Sequence, residues 1–479
     1  MKEELRKTEF FYRIIKWIIN FTFNNLMFRH VFYLKTKNIP PDGTPLVIVS
    51  NHQNCLVDAI AVLLSNSDSN RKFRFIARAD IFDVSNVLTK FMRYLGVMPA
   101  YRANFEGLDA VRKNDKTFED SEDLLSQGEA VMLFPEAGHQ NKRWLGDFTS
   151  GYTTLAFNAA KKTDFLKEVF ILPCANHYSR YYPIQGDMLI KFGTPVSLKP
   201  YYELYKDQPR TAQKEVSELV KAQIKEMMLN IEDLENYEAI DFLRTNFGED
   251  YAHQHNLDYK ELPEQLIADK QMVAAIANIP DNAKGKNNAP EGMDEVNPAV
   301  GIKKKIFNEA VELKKGLEEE KISCKTLGKE FPENKKIFGV DSVKFGMTVR
   351  CVCLALLFPL WVFSLWPAYF IYMIPKPFAR RMNDRMLRSS FLLGFSAIIT
   401  IPLFYLISFF LAWKAFTVVM AIIYVCLLPL LALFAWYYRD YSFGLKEEYR
   451  FYKNRKSAKL RALKDLRDKL EDELWSTLK

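Results

Sequence analysis

The stretch Pro45-Leu-Val-Ile-Val-Ser-Asn-His-Gln-Asn-Cys-Leu-Val-Asp58 decides the fold of this chain. Residues 45–50 are an apolar run that predicts a buried strand, and the polar residues after them predict the turn in which this strand ends. A helix is predicted over residues 55–65. A strand followed by a turn and a helix is typical of α/β layer structures, in which functional groups lie at the ends of strands.

Two side chains of this stretch could act together in proton transfer. His52 and Asp58 are six positions apart. A regular helix turns by about 100° per residue, so over six positions it would turn by about 600° and point the two side chains to different faces. We therefore expect His52 to precede the helix and Asp58 to lie inside it. A neutral imidazole can remove a proton from a hydroxyl near pH 7 while a carboxylate orients the ring, which suits acyl transfer to an alcohol. A turn or a helix cap without a catalytic role is the alternative interpretation.

Strands and helices continue to alternate until about residue 230. The predicted strands are 45–50, 73–78, 130–134, 169–174 and 188–192, and the predicted helices are 55–65, 82–94, 118–126, 149–161 and 210–229. This alternation predicts an α/β domain with its site at the strand ends.

Three further segments join an apolar strand to a turn with polar, Gly or Pro residues. They are Gly96-Val-Met-Pro-Ala-Tyr-Arg102, Leu133-Phe-Pro-Glu-Ala-Gly138 and Ile171-Leu-Pro-Cys174. Together with residues 51–58 they resemble, in order, the four sequence blocks of the glycerolipid acyltransferases, and the resemblance covers about residues 40–230. The spacing of His52 and Asp58 and the third block, Phe-Pro-Glu-Ala-Gly-His, look closer to the branch that acylates glycerol 3-phosphate or dihydroxyacetone phosphate in fungi.

The resemblance implies roles for five residues. His52 would be the general base that deprotonates the acceptor hydroxyl as it attacks an acyl thioester, and Asp58 would orient its ring. Arg102 would bind the acceptor's phosphate, for which the guanidinium fork is well suited. Glu136 would help to place the acceptor, with a turn glutamate that caps the next helix as the alternative, and Gly138 would let the backbone approach it. No metal or cofactor is implied, and acyl-CoA or an acyl carrier protein thioester would be the co-substrate.

Several residues depart from the family pattern or allow other interpretations. Ala137 and His139 stand where a glycine and often an arginine are expected, so Lys142 and Arg143 are candidates for a further phosphate contact, with solvated loop charges as the alternative. Cys55 allows a thiol-nucleophile interpretation, but no second base is evident beside it. The chain lacks the sequence motifs of serine hydrolases, zincins and nucleotide enzymes, and its six cysteines lack metal-site or disulfide spacing.

The C-terminal part of the chain is apolar enough for a membrane. The chain is 49% hydrophobic and 14% aromatic, and residues 351–375, 391–412 and 415–437 are runs long enough to cross a hydrocarbon core of about 30 Å. Pro359 and Pro367 interrupt the first run, so we predict a bent or re-entrant helix pair followed by a transmembrane hairpin. Three ordinary spans are the alternative.

The distribution of charge predicts an orientation. Residues 376–388 carry five basic and one acidic residue, residues 439–479 carry twelve basic and eight acidic residues, and each segment is therefore net +4. The positive-inside rule places both segments on the cytoplasmic side. We therefore expect an integral membrane protein whose catalytic domain lies on the cytoplasmic face.

Five consecutive regions are predicted along the chain. Residues 1–35 would form an amphipathic helix at the membrane interface, although its apolar face could equally cover the core of the catalytic domain. Residues 36–230 would be the catalytic domain, and residues 231–345 a charged, largely helical insert with a flexible loop. Residues 346–438 would be embedded in the membrane, and residues 439–479 would form a basic amphipathic helix.

These expectations combine into one predicted fold and function. The fold is an α/β mixed-sheet acyltransferase domain with an interfacial N-terminal helix and a C-terminal α-helical membrane region. The predicted enzyme is a membrane-bound O-acyltransferase that transfers a fatty acyl group from a thioester to glycerol 3-phosphate or dihydroxyacetone phosphate in phospholipid biosynthesis. Its partners would be membrane lipids, the thioester donor and the acceptor, with no nucleic acid. A lysophosphatidate acyltransferase and a non-catalytic lipid-binding scaffold are the alternatives.

Overall fold

A computed structural model describes most of the chain. The described residues are 2–65, 71–79, 86–100, 108–136, 142–181, 185–280, 301–331, 336–338, 340–380 and 385–478. The chain divides into two units, the first made of residues 1–230 and 369–425 and the second of residues 231–368 and 426–479.

A mixed sheet forms the centre of the first unit. Its strands are β1 Phe28–Leu34, β2 Leu46–Ser50, β3 Phe73–Arg78, β4 Val97–Ala100, β5 Ala130–Leu133, β6 Phe170–Tyr178, β7 Gly186–Phe192 and β8 Val196–Ser197. The strand order is β1-β7-β6-β2-β5-β3-β4, and β8 pairs with β6. The five adjacent strands β6, β2, β5, β3 and β4 run parallel to one another, whereas β7 and β8 run antiparallel to β6. The predicted α/β fold with a mixed sheet is therefore confirmed.

Helices make up most of the remaining structure of both units. In chain order they are α1 Lys2–Thr22, α2 Cys55–Leu64, α3 Asn86–Tyr94, α4 Leu108–Ser126, α5 Gly151–Lys162, α6 Tyr202–Asp207, α7 Pro209–Met227, α8 Tyr237–Gln254, α9 Leu262–Ala277, α10 Ile302–Glu320, α11 Cys324–Leu327, α12 Ser342–Met373, α13 Lys376–Ala379, α14 Arg385–Phe395, α15 Ile401–Ala415, α16 Val418–Asn454 and α17 Ala458–Leu478. Short π-helical segments at Phe23–Met27 and Ser396–Thr400 follow α1 and α14. Lys336–Ile337 and Val340–Asp341 form a small antiparallel pair of strands.

Strand β2 is buried on both of its faces. Leu46 and Ile48 point into a cluster with α1 and α2, whereas Val47 and Val49 point into a second cluster with α4, α5 and α7. A central parallel strand covered by helices on both sides needs apolar residues at every position, which explains the continuous run seen in the sequence. The predicted strand and helix pattern is present in the structure, although α4 begins ten residues before the predicted helix over 118–126.

The N-terminal segment holds a strand as well as a helix. The predicted region 1–35 is helical only as far as the π-helical turn, because Phe28–Leu34 pairs with β7 as an edge strand. Its residues are largely aromatic or β-branched, which favours a strand. Ile19 lies in the core of the sheet domain, so one face of α1 covers that core as the alternative interpretation proposed. Trp17 is 67% exposed, and contact of this side with a membrane interface stays a prediction.

The second unit has its own helical core. The alternating Lys and Glu residues of 303–321 predict a solvated helix, but Leu313 and Leu317 of α10 are buried in a cluster with the leucines of α17. The leucine stripe of the C-terminal helix, which includes Leu463 and Leu470, therefore packs on protein in this unit. Such a stripe could lie against lipid or pair with another helix, and in the structure it pairs with a helix.

Gly316 permits the close approach of α10 and α17, because a Cβ atom added there would overlap Leu463 Cδ2. We expect Gly316→Ala to destabilise the protein by about 1–3 kcal/mol through overpacking. Gly444→Ala is the matched control, since Gly444 lies within α16 and, apart from the backbone of that helix and the two neighbouring residues, no described atom lies within 4 Å of the position that its Cβ would take. Alanine in that helix should stabilise by about 0.5–1 kcal/mol. The apparent unfolding temperatures of the two variants in detergent would then move in opposite directions, and a rise for both would contradict the packing described.

Three helices of the described ranges are long and apolar enough to cross a membrane. They cover Ser342–Ile371, Arg388–Ala415 and Val418–Asn454, in agreement with the three predicted runs. Pro359 and Pro367 lie inside the single helix α12, so the structure has one helix where the sequence predicted a bent or re-entrant pair. A proline removes one backbone hydrogen bond, but the turns on either side can continue the helix. The path of these helices through a membrane stays a prediction.

Candidate active site

The candidate site lies where three neighbouring parallel strands end. His52 follows β2, Glu136 follows β5 and Tyr178 is the last residue of β6. Because β2 lies between β5 and β6 in the sheet, the carboxyl ends of these strands meet at one edge. Ligands of open α/β sheets bind at this edge.

The predicted pair of His52 and Asp58 is present in the structure. His52 precedes α2 and Asp58 lies in the first turn of this helix, as expected. The His52 ring nitrogen Nδ1 is 2.9 Å from Asp58 Oδ2. Asp58 is fully buried, whereas 18% of the His52 side chain is exposed. The carboxylate is thus enclosed by protein, whereas the imidazole is partly accessible from outside.

Asp58 is held by further donors besides the imidazole. The backbone N–H groups of Gln53 and Asn54 donate to its Oδ2 atom at 2.9 and 2.8 Å. The hydroxyl of Tyr178 donates to its Oδ1 atom. Four donors fix the carboxylate in one orientation, so that it can in turn fix the His52 ring.

The hydrogen bond to Asp58 determines the tautomer of the neutral His52 ring. An ionised carboxylate only accepts hydrogen bonds, so Nδ1 carries the proton and Nε2 carries the lone pair. The ring also stacks on Phe134, with centroids 4.0 Å apart and planes at 18°. Both contacts hold the imidazole with Nε2 as its basic atom.

Tyr178 supports the pair but was not identified from the sequence. Burial, together with the nearby Asp58 carboxylate, raises the pKa of Tyr178 well above the ordinary tyrosine value. The phenol therefore stays protonated and continues to donate to Asp58 at neutral pH. Its only sequence signal was a position four residues beyond the Ile171–Cys174 segment, and the predicted strand ended before it.

Glu136 links the His52 turn to the loop that follows β5. Its Oε1 atom accepts from the backbone N–H of His52 at 2.8 Å, and its Oε2 atom accepts from the N–H of Gly146 at 2.8 Å. Burial raises the pKa of this carboxyl group, and the two backbone donors partly oppose that rise. Glu136 thus positions His52 directly, while its predicted contact with an acceptor stays a prediction.

Asn51 anchors the beginning of the same turn. Its side chain donates to the Asn176 carbonyl at 3.0 Å and accepts from the Asn176 N–H at 2.7 Å. This amide continues the pairing of β2 with β6 beyond Ser50 and Cys174, where the backbone of β2 turns away. Neither asparagine was identified from the sequence, because the pairing joins residues far apart in the chain.

Two of the predicted site residues, Arg102 and Gly138, lie outside the described residues, as do Ala137 and His139. Arg143 is described, and it is buried, so the interpretation as a solvated loop charge is wrong for this residue.

Arg143 contacts the backbone near the end of β6. Its guanidinium donates to the carbonyl of Tyr178 at 3.0 Å and lies over the ring of Tyr181. Lys142, the other candidate for a further phosphate contact, is exposed. These contacts hold Arg143 against the end of β6.

Cys55 opens α2 with a left-handed backbone, at φ 43°, and its side chain is 5% exposed. Within the ranges that the structure describes, no group of three His, Cys, Asp or Glu side chains is placed to hold a metal ion. The arrangement thus offers one partly exposed imidazole, fixed by a buried carboxylate. It can remove a proton from a hydroxyl brought to Nε2.

Comparisons with known proteins match the part of the chain that contains His52, Asp58 and Glu136. Residues 30–177 match the model of the Acyltransferase family. The chain is 35% identical over 128 residues to a chloroplastic 1-acyl-sn-glycerol-3-phosphate acyltransferase of Arabidopsis thaliana, covering 26% of this chain and 31% of the relative. It is 27% identical over 128 residues to glycerol-3-phosphate O-acyltransferase 2 of Saccharomyces cerevisiae, covering 26% of this chain and 17% of the relative.

The matched part spans less than a third of either relative. A solved structure, the 1-acyl-sn-glycerophosphate acyltransferase PlsC of Thermotoga maritima, is 21% identical with a TM-score of 0.35 and covers 47% of this chain and 83% of that chain. The family match and the relatives confirm the resemblance to the glycerolipid acyltransferases that the four sequence blocks indicated.

Proposed function

We propose that this chain is a membrane-bound glycerolipid acyltransferase that moves a fatty acyl group from an acyl thioester to a hydroxyl of glycerol 3-phosphate or dihydroxyacetone phosphate in phospholipid biosynthesis. The observation that carries the proposal is the bond between His52 and the buried Asp58 inside the part of the chain that matches the family. The donor would be acyl-CoA or an acyl carrier protein thioester.

The proposed reaction needs no covalent enzyme intermediate. His52 Nε2 accepts the proton of the acceptor hydroxyl while the hydroxyl oxygen attacks the thioester carbonyl carbon. A new C–O bond forms, the C–S bond breaks, and the imidazolium returns the proton to the departing sulfur. Asp58 stabilises the imidazolium that exists between these two transfers.

The three candidate membrane spans support a lipid product. The three candidate spans have only 12%, 28% and 17% of their apolar windows buried within the protein. Apolar surface of this kind is stable in lipid rather than in water. The basic segments 376–388 and 439–479 support a catalytic domain on the cytoplasmic face.

Lysophosphatidate is the second candidate acceptor. It is favoured by the 35% identity to the chloroplastic relative, whose name states that it acylates 1-acyl-sn-glycerol 3-phosphate. The spacing between His52 and Asp58, which resembles that of the branch acylating glycerol 3-phosphate or dihydroxyacetone phosphate, favours glycerol 3-phosphate instead.

Purified protein should be given one acyl thioester with glycerol 3-phosphate, dihydroxyacetone phosphate and lysophosphatidate in competition. Preferential acylation of lysophosphatidate would reverse the assignment of the acceptor, and transfer to none of them would support a non-catalytic scaffold.

Glu136→Gln tests whether this residue positions His52 or binds the acceptor. Glutamine keeps one oxygen but turns an NH₂ group toward the second backbone donor, which costs about 1–3 kcal/mol. We expect kcat to fall about tenfold, with little change in the acceptor KM, since about 1.4 kcal/mol corresponds to a factor of ten. Glu122→Gln, a carboxylate on α4 that contacts Asn158 instead, is the matched control. A raised acceptor KM with unchanged kcat would show that acceptor binding is the main role of Glu136.

A further inference from the structure

We propose that Ser390, on helix α14 of the C-terminal apolar region, is a positioning residue for the His52–Asp58 pair. The inference rests on the proposed function. It assigns to this region a part in building the active site, in addition to holding the protein in a membrane.

The hydroxyl of Ser390 contacts the backbone on both sides of the start of α2. It donates to the Asn54 carbonyl at 2.6 Å and accepts from the Val57 N–H at 3.2 Å. The Val57 N–H also lies 3.0 Å from the Asn54 carbonyl oxygen, so the three groups form a closed arrangement. Ser390 is fully buried, which makes these contacts strong relative to contacts in water.

The start of α2 has no side-chain cap of its own. Asn54 occupies the N-cap position, but its side-chain oxygen accepts no capping hydrogen bond, and its Nδ2 group donates to the Tyr181 carbonyl at 3.0 Å. Cys55 follows with a positive φ, which is unfavourable for a residue other than glycine and persists only when the surroundings hold it. The contacts of Ser390 lie on either side of Cys55 and hold this strained residue in place.

The same backbone groups are adjacent to the catalytic pair. Asp58 directly follows Val57, and the N–H of Asn54 donates to Asp58 Oδ2 at 2.8 Å. Loss of the Ser390 contacts would let the carboxylate move relative to the His52 ring. Ser390 therefore acts through Asp58 and does not itself contact the reacting atoms.

A second feature of α14 brings it close to α2. Gly394 lies one turn after Ser390, on the same face of the helix. A Cβ atom added at Gly394 would lie 2.6 Å from Leu56 Cδ2 and 3.1 Å from Ile60 Cδ1. The glycine therefore permits the helix separation that lets a side chain as short as serine reach the backbone of α2.

Ser390 is itself part of a candidate membrane span. Residues Arg388–Ala415 form one of the candidate spans, and Ser390 lies in its first turn. Thr22 at the end of α1 donates to the Ala397 carbonyl at 2.9 Å, which attaches the same segment to the N-terminal helix. Helix α14, which contacts the active-site turn through Ser390, is thus also the first part of a candidate membrane span.

The test compares Ser390→Ala, Ser390→Thr and the control Ser389→Ala in the full-length protein. Ser389 is the partly exposed neighbour on the same helix. We expect Ser390→Ala to lower kcat about tenfold, the effect of losing a buried hydrogen bond of about 1.4 kcal/mol, with unchanged KM for thioester and acceptor. Ser390→Thr keeps the hydroxyl and should recover most of the activity. In a His52→Ala background, where there is no ring left to position, Ser390→Ala should have little further effect.

A second measurement does not depend on catalysis. Cys55 lies within the held turn, so its labelling by a maleimide, read by mass spectrometry of its peptide, should be faster in Ser390→Ala than in Ser389→Ala or wild type. If Ser390→Ala behaves like Ser389→Ala in both turnover and labelling, the proposal is wrong. Persistence of the full kcat loss in the His52→Ala background would also overturn it. If wild type transfers no acyl group, the proposed function fails, and the labelling still decides whether Ser390 holds the turn.

Discussion

Replacing His52 by alanine is expected to lower kcat for acyl transfer by about a thousandfold, within the range that general base catalysis contributes. The substitution removes the ring whose Nε2 lone pair is fixed by the Asp58 hydrogen bond. The backbone N–H of His52 remains, so its bond to Glu136 can still hold the turn. Purified wild type and variant should be compared by initial rates of thioester consumption and acylated product formation.

Cys55→Ala is the control for this result. The thiol lies three residues from His52, and a thiol nucleophile was the competing interpretation of this stretch. We expect the alanine variant to stay within a few-fold of wild-type kcat. Loss of turnover in Cys55→Ala together with retained turnover in His52→Ala would replace the proposed base with a covalent mechanism.

Asp58→Asn is expected to lower kcat about a hundredfold. The backbone donors of Gln53 and Asn54 require an acceptor at the Oδ2 position, so the amide oxygen of asparagine should take that place. The His52 tautomer is then kept, while the amide group meets the Tyr178 hydroxyl, which can turn to accept. The expected fall in kcat comes from removing the negative charge that stabilises the imidazolium. Charged hydrogen bonds are roughly twice as strong as neutral ones.

Another Asp–His pair in the same unit supplies a matched control. Asp187 lies 3.2 Å from His30 Nδ1 and also accepts from Arg29. Burial alone would raise the pKa of the Asp187 carboxyl, but Arg29 and His30 lower it below the ordinary value. Asp187→Asn should leave kcat near the wild-type value. An equal fall in kcat for Asp187→Asn and Asp58→Asn would mean that the two effects are those of a general loss of stability.

The centre of the site could be predicted because its residues are close in the sequence. The apolar run before His52 predicts a strand, and the spacing to Asp58 requires one residue before the helix and one inside it. Glu136 was assigned to the site because its segment resembles the third block of the glycerolipid acyltransferases, and it meets His52 because parallel strands end at the same edge of the sheet. Short-range patterns thus determine which groups meet at this edge.

The supporting residues could not be predicted because they come from distant parts of the chain. Tyr178 donates to Asp58 across 120 positions, and Ser390 contacts Asn54 across 336 positions. Hydropathy identifies residues 391–412 as apolar but does not indicate whether such a helix packs on lipid or on protein. The predicted membrane region 346–438 is therefore divided in the structure, where residues 369–425 belong to the unit that holds the sheet.

The prediction of a helix for the whole N-terminal segment failed for a similar reason. The edge strand Phe28–Leu34 pairs with β7, more than 150 residues away, and periodicity within the segment does not reveal that partner. Lys16, a charged residue of the predicted amphipathic helix, is buried. Local amphipathicity thus indicated the helix α1 but neither its end nor all of its contacts.

The most direct test of the account is a double-mutant cycle on the catalytic pair. Acyl transfer should be measured for wild type, His52→Ala, Asp58→Asn and the double variant under identical conditions, with each protein shown to be folded. If Asp58 acts only through the imidazole, the double variant should be no slower than His52→Ala alone. A further hundredfold loss in the double variant would show that the two residues contribute independently, which would contradict the central claim that they act as one unit.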